Sequence, residues 1–323
     1  MYKKYDFKST LAPYICDYIS EKRSLGFAYD SESYILKKFD DYCIRKELKD
    51  QRVDKDILNE WMQPGKNEGQ TTKTRRVSAV RGLMIYMNTV GINAYIPHHF
   101  NSNDTQIPHV MNKYEIIAFF TEIDRYSPTT RYVRLANEYK VMFRLIYSCG
   151  LRNSEACKLR FADISNKDNS IRICQSKGRK DRIVYLADDM MELLQQYCSY
   201  IKKQLGSEPF WAFPGESPDN PLHNTNIDRK FNEFWKRTEY ATKCDKKPTV
   251  HGLRHSFVVR RMNTWMVEGV SLNLMMPYLS KYLGHKSINE TFYYYHQIEE
   301  AFRIIEEKDS ISDMVIPEVN DEK

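Results

Sequence analysis

Residues 92–110, INAYIPHHFNSNDTQIPHV, cannot continue a helix or a strand. Each of the two prolines removes a backbone donor, and the Asn-Ser-Asn-Asp cluster favours local side-chain turns over regular ladders. This break divides the chain. A first domain is expected over residues 1–95, a linker over 96–110, a second domain over 111–305 and an acidic tail over 306–323. With 323 residues in all, both parts are long enough to close a core. His98, His99 and His109 fall in the break. A flexible linker fixes no ligand geometry, so they read as solvent histidines rather than metal ligands.

Before the break, residues 9–90 carry apolar positions at helical spacing in four segments. STLAPYICDYISEKRSLG stops at Gly26, and SESYILKKFDDYCIRKEL is opened by Ser31 with Glu32 nearby. DKDILNEWMQ ends before Pro64-Gly65, and QTTKTRRVSAVRGLMIYMNTVG closes at Gly91. The fourth segment is polar and basic in its first half, with Thr71, Thr72, Lys73, Arg75, Arg76 and Arg81, and apolar in its second. Such hydroxyls and cations suit the phosphates of a DNA groove, and equally suit a solvated helix face.

After the break, NKYEIIAFFTEID and RYVRLANEYKVMFRLIYSCG are helical. SIRICQ and RIVYL alternate and are rich in β-branched residues, with SKGRKD between them as a hairpin turn. DDMMELLQQYCSYIKKQLG returns to helix, a loop with four prolines follows, and TNIDRKFNEFWKRTEYAT is a helix capped by Thr225 or Asn226. Three further helices, starting near His251, at Leu272 and before Tyr294, end the domain. The expected fold is mainly α with a small antiparallel β-hairpin, in two domains.

Composition excludes several classes. Hydrophobic residues at 41% and charged residues at 28% are globular values. The net charge of +6 suits a polyanionic partner. From Glu306 to Lys323 there are seven acids against two lysines, so the rest is more basic than the total. Seven cysteines without a C-x-x-C pair argue against a disulfide framework and for a reducing cytoplasm. Cys149 and Cys157 read as core thiols. MYKKYDFKST lacks the apolar core of a signal, and no apolar run approaches membrane-spanning length. No membrane association is expected.

The chemistry gathers between His251 and His296. His251 and Arg254 are three apart, so on a helix they share a face. His251 and His255 have the spacing of a zinc-binding helix, but Gly252 stands where such a helix needs Glu, and Arg254 repels a cation. No metal and no other cofactor is expected. His285 follows Gly284, and Tyr294 stands among Tyr293, Tyr294 and Tyr295. Upstream, Arg152 follows Gly150-Leu151, where its guanidinium can fork onto two phosphate oxygens. Lys177 sits in SKGRKD with Arg179 and Lys180 as basic neighbours. Two bases, permanent cations and a phenol are what attack on a phosphodiester through a protein hydroxyl needs.

In their order along the chain, YSCGLRNSEACKLR, SKGRKD, HGLRHSF and LGHKSINETFYYYH resemble the tyrosine recombinases, the phage integrase family, including Xer-type and transposon-borne members. The resemblance is strong over roughly 110–300 and weaker before it. It implies a catalytic set of Arg152, Lys177, His251, Arg254, His285 and Tyr294, with Tyr295 as the alternative nucleophile and Lys180 as the alternative lysine. Glu155 matches the family's acidic residue and would orient its neighbours; His255 would be structural.

The same resemblance implies a clamp around double-stranded DNA and a helical DNA-binding first domain. Thr72, Lys73, Arg75, Arg76, Arg81, Arg179 and Lys180 are the expected DNA contacts. It further implies a homo-oligomer, a tetramer on paired sites, and a tail that docks on a neighbouring subunit through Ile311, Met314, Val315 and Ile316. Strand cleavage would proceed through a 3′-phosphotyrosyl intermediate, in integration or transposition of a mobile element. A type IB topoisomerase or telomere resolvase would share the chemistry; a non-catalytic DNA-binding protein would share only the fold.

Overall fold

The computed structural model describes residues 4–66, 68–98, 108–128, 133–174, 181–285 and 287–295. The turn 175–180, with Lys177, Arg179 and Lys180, and the tail 306–323 lie outside the described residues. The chain forms two compact units, Met1–Gln106 and Ile107–Lys323. It is mainly helical, and its described strands form one small antiparallel sheet. No described helix is long and apolar enough to cross a membrane.

The first unit packs four helices: α1 (Ala12–Ser24), α2 (Asp30–Arg45), α3 (Lys55–Trp61) and α4 (Gln70–Thr89). Their inward positions, among them Leu11, Ile15, Leu36, Phe39, Leu58, Leu83, Met84 and Met87, are fully buried. Asp40 is buried with them because it has partners: it accepts from the backbone N–H of Lys8 (3.0 Å) and Ser9 (2.9 Å) and pairs with Lys37 at 3.1 Å. Helix α2 begins one residue before the expected Ser31. Tyr29, left-handed at φ 55°, precedes it, and no side-chain cap marks the start.

The second unit starts with α5 (Lys113–Arg125), capped by Asn112 and Glu115 in a reciprocal capping box. Then follow α6 (Val133–Cys149), α7 (Asn153–Cys157), β1 (Ile164–Ser165), β2 (Ser170–Ile173), β3 (Arg182–Tyr185), α8 (Asp188–Leu205), α9 (Asn224–Arg237), α10 (Val250–Val267), α11 (Leu272–Leu283) and α12 (Asn289–Tyr295). The strands run in the order β1-β2-β3, antiparallel, with Ile173 paired to Arg182. β1 is too short to show an alternation in the sequence. The cap of α9 is His223, whose Nδ1 accepts from the Thr225 N–H at 3.4 Å, and neither Thr225 nor Asn226.

Phe119, Phe143, Phe231 and Phe234 meet edge-to-face or tilted where α5, α6 and α9 come together, with Phe119 and Phe231 centroids 4.7 Å apart. Helix α10 is the buried axis of the unit. Every residue from Gly252 to Val259 is buried, whereas His251 at its start is exposed. A fully buried helix leaves little amphipathic signal, yet it gives firm support to side chains at its end.

Between α6 and α7 the chain reverses at Gly150, which has φ +63°. A Cβ there would lie 2.6 Å from Phe257 and 3.0 Å from Leu283. Gly150→Ala is expected to combine left-handed strain with overpacking and to destabilise the second unit by about 2–4 kcal/mol. Urea unfolding followed at Trp211, Trp235 and Trp265, all in that unit, measures it.

Candidate active site

Helix α11 ends at Leu283 because Gly284 turns left-handed, at φ +66°. A helix end leaves carbonyls without intrahelical partners and carries partial negative charge. Here three successive carbonyls are each taken by a different arginine. Arg182 Nε donates to Tyr282 O at 2.8 Å, Arg254 Nη2 to Leu283 O at 2.8 Å, and Arg152 Nη2 to Gly284 O at 2.9 Å. Arg254 Nη1 also donates to Gly150 O at 2.6 Å, tying α10 to the turn before Arg152.

The three guanidiniums share one carboxylate. Glu155 accepts from Arg152 Nη1 at 2.7 Å and from Arg182 Nη1 and Nη2 at 2.8 and 2.7 Å, and lies 3.9 Å from Arg254 Nη1. It also accepts from the Arg152 backbone N–H at 2.9 Å, closing the first turn of α7. These four side chains carry a formal excess of two positive charges (three minus one) in a nearly water-free place. Exposure differs within the set: the Arg152 side chain is 17% exposed and that of Arg254 only 2%.

His285 follows directly. Arg254 Nη2 donates to its Nε2 at 2.8 Å, so Nε2 accepts. Nδ1 then carries the proton and donates to Thr291 Oγ1 at 2.6 Å, in α12. Burial, then the charges of Arg254 and Arg152, push the His285 pKa down to about 3, so the ring is neutral at physiological pH. In this arrangement His285 has no N–H to give a phosphate, and its ring orients Arg254 instead. His255 is buried and neutral as well; burial, then His251 and Arg254, bring its pKa down to about 3. It packs edge-to-face on exposed His251 at 4.4 Å, as a support for that ring.

Of the residues singled out in the sequence, Arg152, Arg254 and His285 thus meet through α7, α10 and the end of α11, and His251 stands at the start of α10. Tyr294 is in the last turn of α12, three residues after Thr291; its side chain lies outside the described atoms. Lys177 and its neighbours lie outside too, but the strands flanking that turn are described, and β3 begins at Arg182 inside the arginine cluster. Arg182 was missed as a site residue and taken for an ordinary strand position. Nothing in the sequence marks it: alternation puts Ile183 and Tyr185 on one face, yet the structure exposes that face, and Arg182 turns inward with fully buried Val184.

In the first unit the basic residues of α4 separate. Thr72 and Arg75 are exposed, and Lys73 is half-buried. Arg81 donates from Nε to Pro97 O at 3.0 Å. Arg76 turns inward: it pairs with Glu68 through Nε and Nη2, each at 2.8 Å, donates to Gln63 O at 3.0 Å and to Trp61 O, and stacks on the Trp61 ring at 4.9 Å. Arg76 thus spends its donors inside the unit, where they hold the α3–α4 connection.

Residues 117–301, more than half of the chain, match the sequence profile described as the phage integrase family. The chain belongs to the phage integrase family. It is accordingly a tyrosine-type site-specific recombinase. A tyrosine recombinase of Thermosipho africanus (strain TCF52B) is 29% identical over 234 residues, covering 72% of this chain and 74% of that protein. Among solved structures, the XerH site-specific recombinase bound to palindromic difH substrate, a post-cleavage complex, superposes with a TM-score of 0.64 at 21% identity, over 87% of this chain and 78% of that one. The Tn1549 transposon integrase in complex with transposon right-end DNA gives a TM-score of 0.62 at 16% identity, over 91% and 98%. Both likenesses show the shared fold.

Glu155 is what makes one buried and two part-buried guanidiniums tolerable together in this phage integrase family member. Glu155→Gln keeps the shape and removes the charge, and is expected to destabilise the second unit by about 3–5 kcal/mol, as when a buried pair loses one partner. Arg182→Ala should cost less, because Glu155 keeps two guanidiniums. Denaturation of the two variants side by side gives the order.

Proposed function

We propose that this recombinase cuts and rejoins double-stranded DNA with Tyr294 as nucleophile and the arginine cluster as the seat of the scissile phosphate. The observation that carries this reading is the excess positive charge held at the end of α11, beside the helix that bears Tyr294. Charge preorganised in a dry place stabilises an anion strongly and needs no rearrangement when more charge develops.

In the proposed step the Tyr294 hydroxyl oxygen attacks phosphorus, and His251, exposed at the start of α10, takes the phenolic proton. The bond from phosphorus to the 5′-oxygen breaks, and Lys177 protonates that leaving oxygen. A 3′-phosphotyrosyl bond and a free 5′-hydroxyl result. The ester keeps the bond energy, so rejoining by another 5′-hydroxyl needs no ATP. Arg152, the more exposed of the two arginines, meets the phosphate oxygens. Arg254 contributes charge from beneath and is fixed by His285.

Each chain has one Tyr294, so exchanging two duplexes, four strands in all, calls for four chains; we propose a homo-tetramer on paired sites. We further propose that the first unit binds DNA through Thr72, Lys73 and Arg75, with Arg81 at the margin, and that Arg179 and Lys180 grip phosphates beside Lys177. The substrate setting is integration or transposition of a mobile element in the cytoplasm.

The nucleophile is tested by trapping. On nicked DNA, wild type should give a denaturation-resistant protein–DNA adduct, Tyr294→Phe should give none at unchanged DNA affinity, and Tyr295→Phe should resemble wild type. Adduct from Tyr294→Phe, with none from Tyr295→Phe, moves the nucleophile by one residue. If neither substitution matters, the phosphotyrosyl reading falls.

The DNA face is tested by salt. Arg75→Ala should flatten the plot of log affinity against log salt by about one unit of slope. Arg76→Ala should leave that slope unchanged and lower the unfolding midpoint of the first unit, read from Trp61. A reversed pattern would mean that Arg76 leaves its internal partners to bind DNA.

A further inference from the structure

His109 reads in the sequence as part of a flexible linker, yet in the fold it is a fixed member of the second unit. Its Nε2 lies 3.0 and 3.1 Å from the two carboxylate oxygens of Glu115, in the first turn of α5. The Cys244 thiol, 135 residues away in sequence, lies 3.5 Å from Nδ1 and 3.6 Å from Nε2 of the same ring. One ligand atom from each of the three residues falls within 4.8 Å of the other two. We propose that His109, Glu115 and Cys244 form a binding site for a zinc-class transition metal ion, separate from the arginine cluster.

The donor set selects the ion. A thiolate and an imidazole favour Zn²⁺ over Mg²⁺ or Ca²⁺, which prefer all-oxygen shells, and a carboxylate completes a three-ligand set of the open kind. With metal–ligand bonds of about 2.0–2.3 Å, tetrahedral ligands stand about 3.3–3.8 Å apart; the His109–Glu115 and His109–Cys244 contacts need shifts of only a few tenths of an ångström, and the Cys244–Glu115 pair closes from within 4.8 Å. Glu115 is buried and its Oε2 accepts from the Asn112 N–H at 2.8 Å; this bond orients the carboxylate as an outer partner of a metal ligand would, leaving Oε1 for the ion. His109 and Cys244 are part-exposed, so solvent can fill the fourth position.

In the free protein the thiol donates to Lys246 O at 2.8 Å, and burial pushes its pKa up, so it stays protonated. Binding would replace that proton by the ion and release it to solvent. The site would join three separate pieces: the chain entering the second unit, α5, and the loop leading into α10. His109 O stands 3.2 Å from the place a Cβ on Gly252 would occupy, next to His251. An ion here would therefore steady the turn that presents His251.

The test uses the full-length chain after chelator treatment and dialysis. Titration with Co²⁺ alone should produce the absorption of a cobalt–thiolate bond, saturating at one ion per chain, and Zn²⁺ should displace it. Cys244→Ser should abolish the band and His109→Gln should weaken Zn²⁺ binding by about 100-fold or more. Cys16→Ser, at an exposed cysteine in the other unit, should change nothing. Zn²⁺ should also raise the thermal midpoint of wild type and not of Cys244→Ser. Wild-type protein without a cobalt–thiolate band at one equivalent overturns the proposal, whatever the variants do. A band that survives Cys244→Ser overturns it as well.

Discussion

A guanidinium can leave water only where its donors and its charge are answered, and this fold gathers three, one buried and two part-buried, around one helix end. The carbonyls of Tyr282, Leu283 and Gly284 answer donors, and Glu155 answers charge. Elements far apart in sequence are held by this arrangement. Arg152 comes from the turn after α6, Arg182 from the sheet, Arg254 from α10, and the acceptors from α11. Together they fix the end of α11 against α7 and β3. Stability and chemistry therefore draw on the same groups, so a substitution here confounds the two unless folding is measured separately.

The neutral histidines follow from the same cluster. Positive charge nearby disfavours a second cation, and burial acts in the same direction, so His255 and His285 stay uncharged. A neutral imidazole can accept, which is what lets His285 receive a hydrogen bond from Arg254 at Nε2 and donate one from Nδ1 to Thr291. A charged ring would have no lone pair for Arg254 and would repel it.

Much of this was legible in the sequence, and the exceptions share a cause. Helical periodicity marked the helices of the first unit and most of the second, and the alternation of SIRICQ and RIVYL marked the β2–β3 pair. Ordered motifs singled out Arg152, Arg254 and His285, which the fold brings together. The sequence did not show the relations between distant residues. Arg182 looked like a strand residue because its carbonyl partner is 100 positions away, and His109 looked like linker because Cys244 is 135 positions away. Arg76 looked like its neighbours Lys73 and Arg75, and only the packing of Trp61 and Glu68 distinguishes it. Local starts failed for a related reason: Tyr29 opens α2 by backbone conformation and His223 caps α9 with a ring nitrogen, neither a common cap chemistry.

The bond from His285 to Thr291 places an electrostatic component and a mechanical one in a single circuit. Thr291 is wholly buried and belongs to α12; His285 holds the tautomer that Arg254 needs. The packing of α12 and the orientation of that guanidinium therefore meet in one imidazole ring: the same tautomer serves a donor on one side and an acceptor on the other, so neither contact can be changed without altering the other.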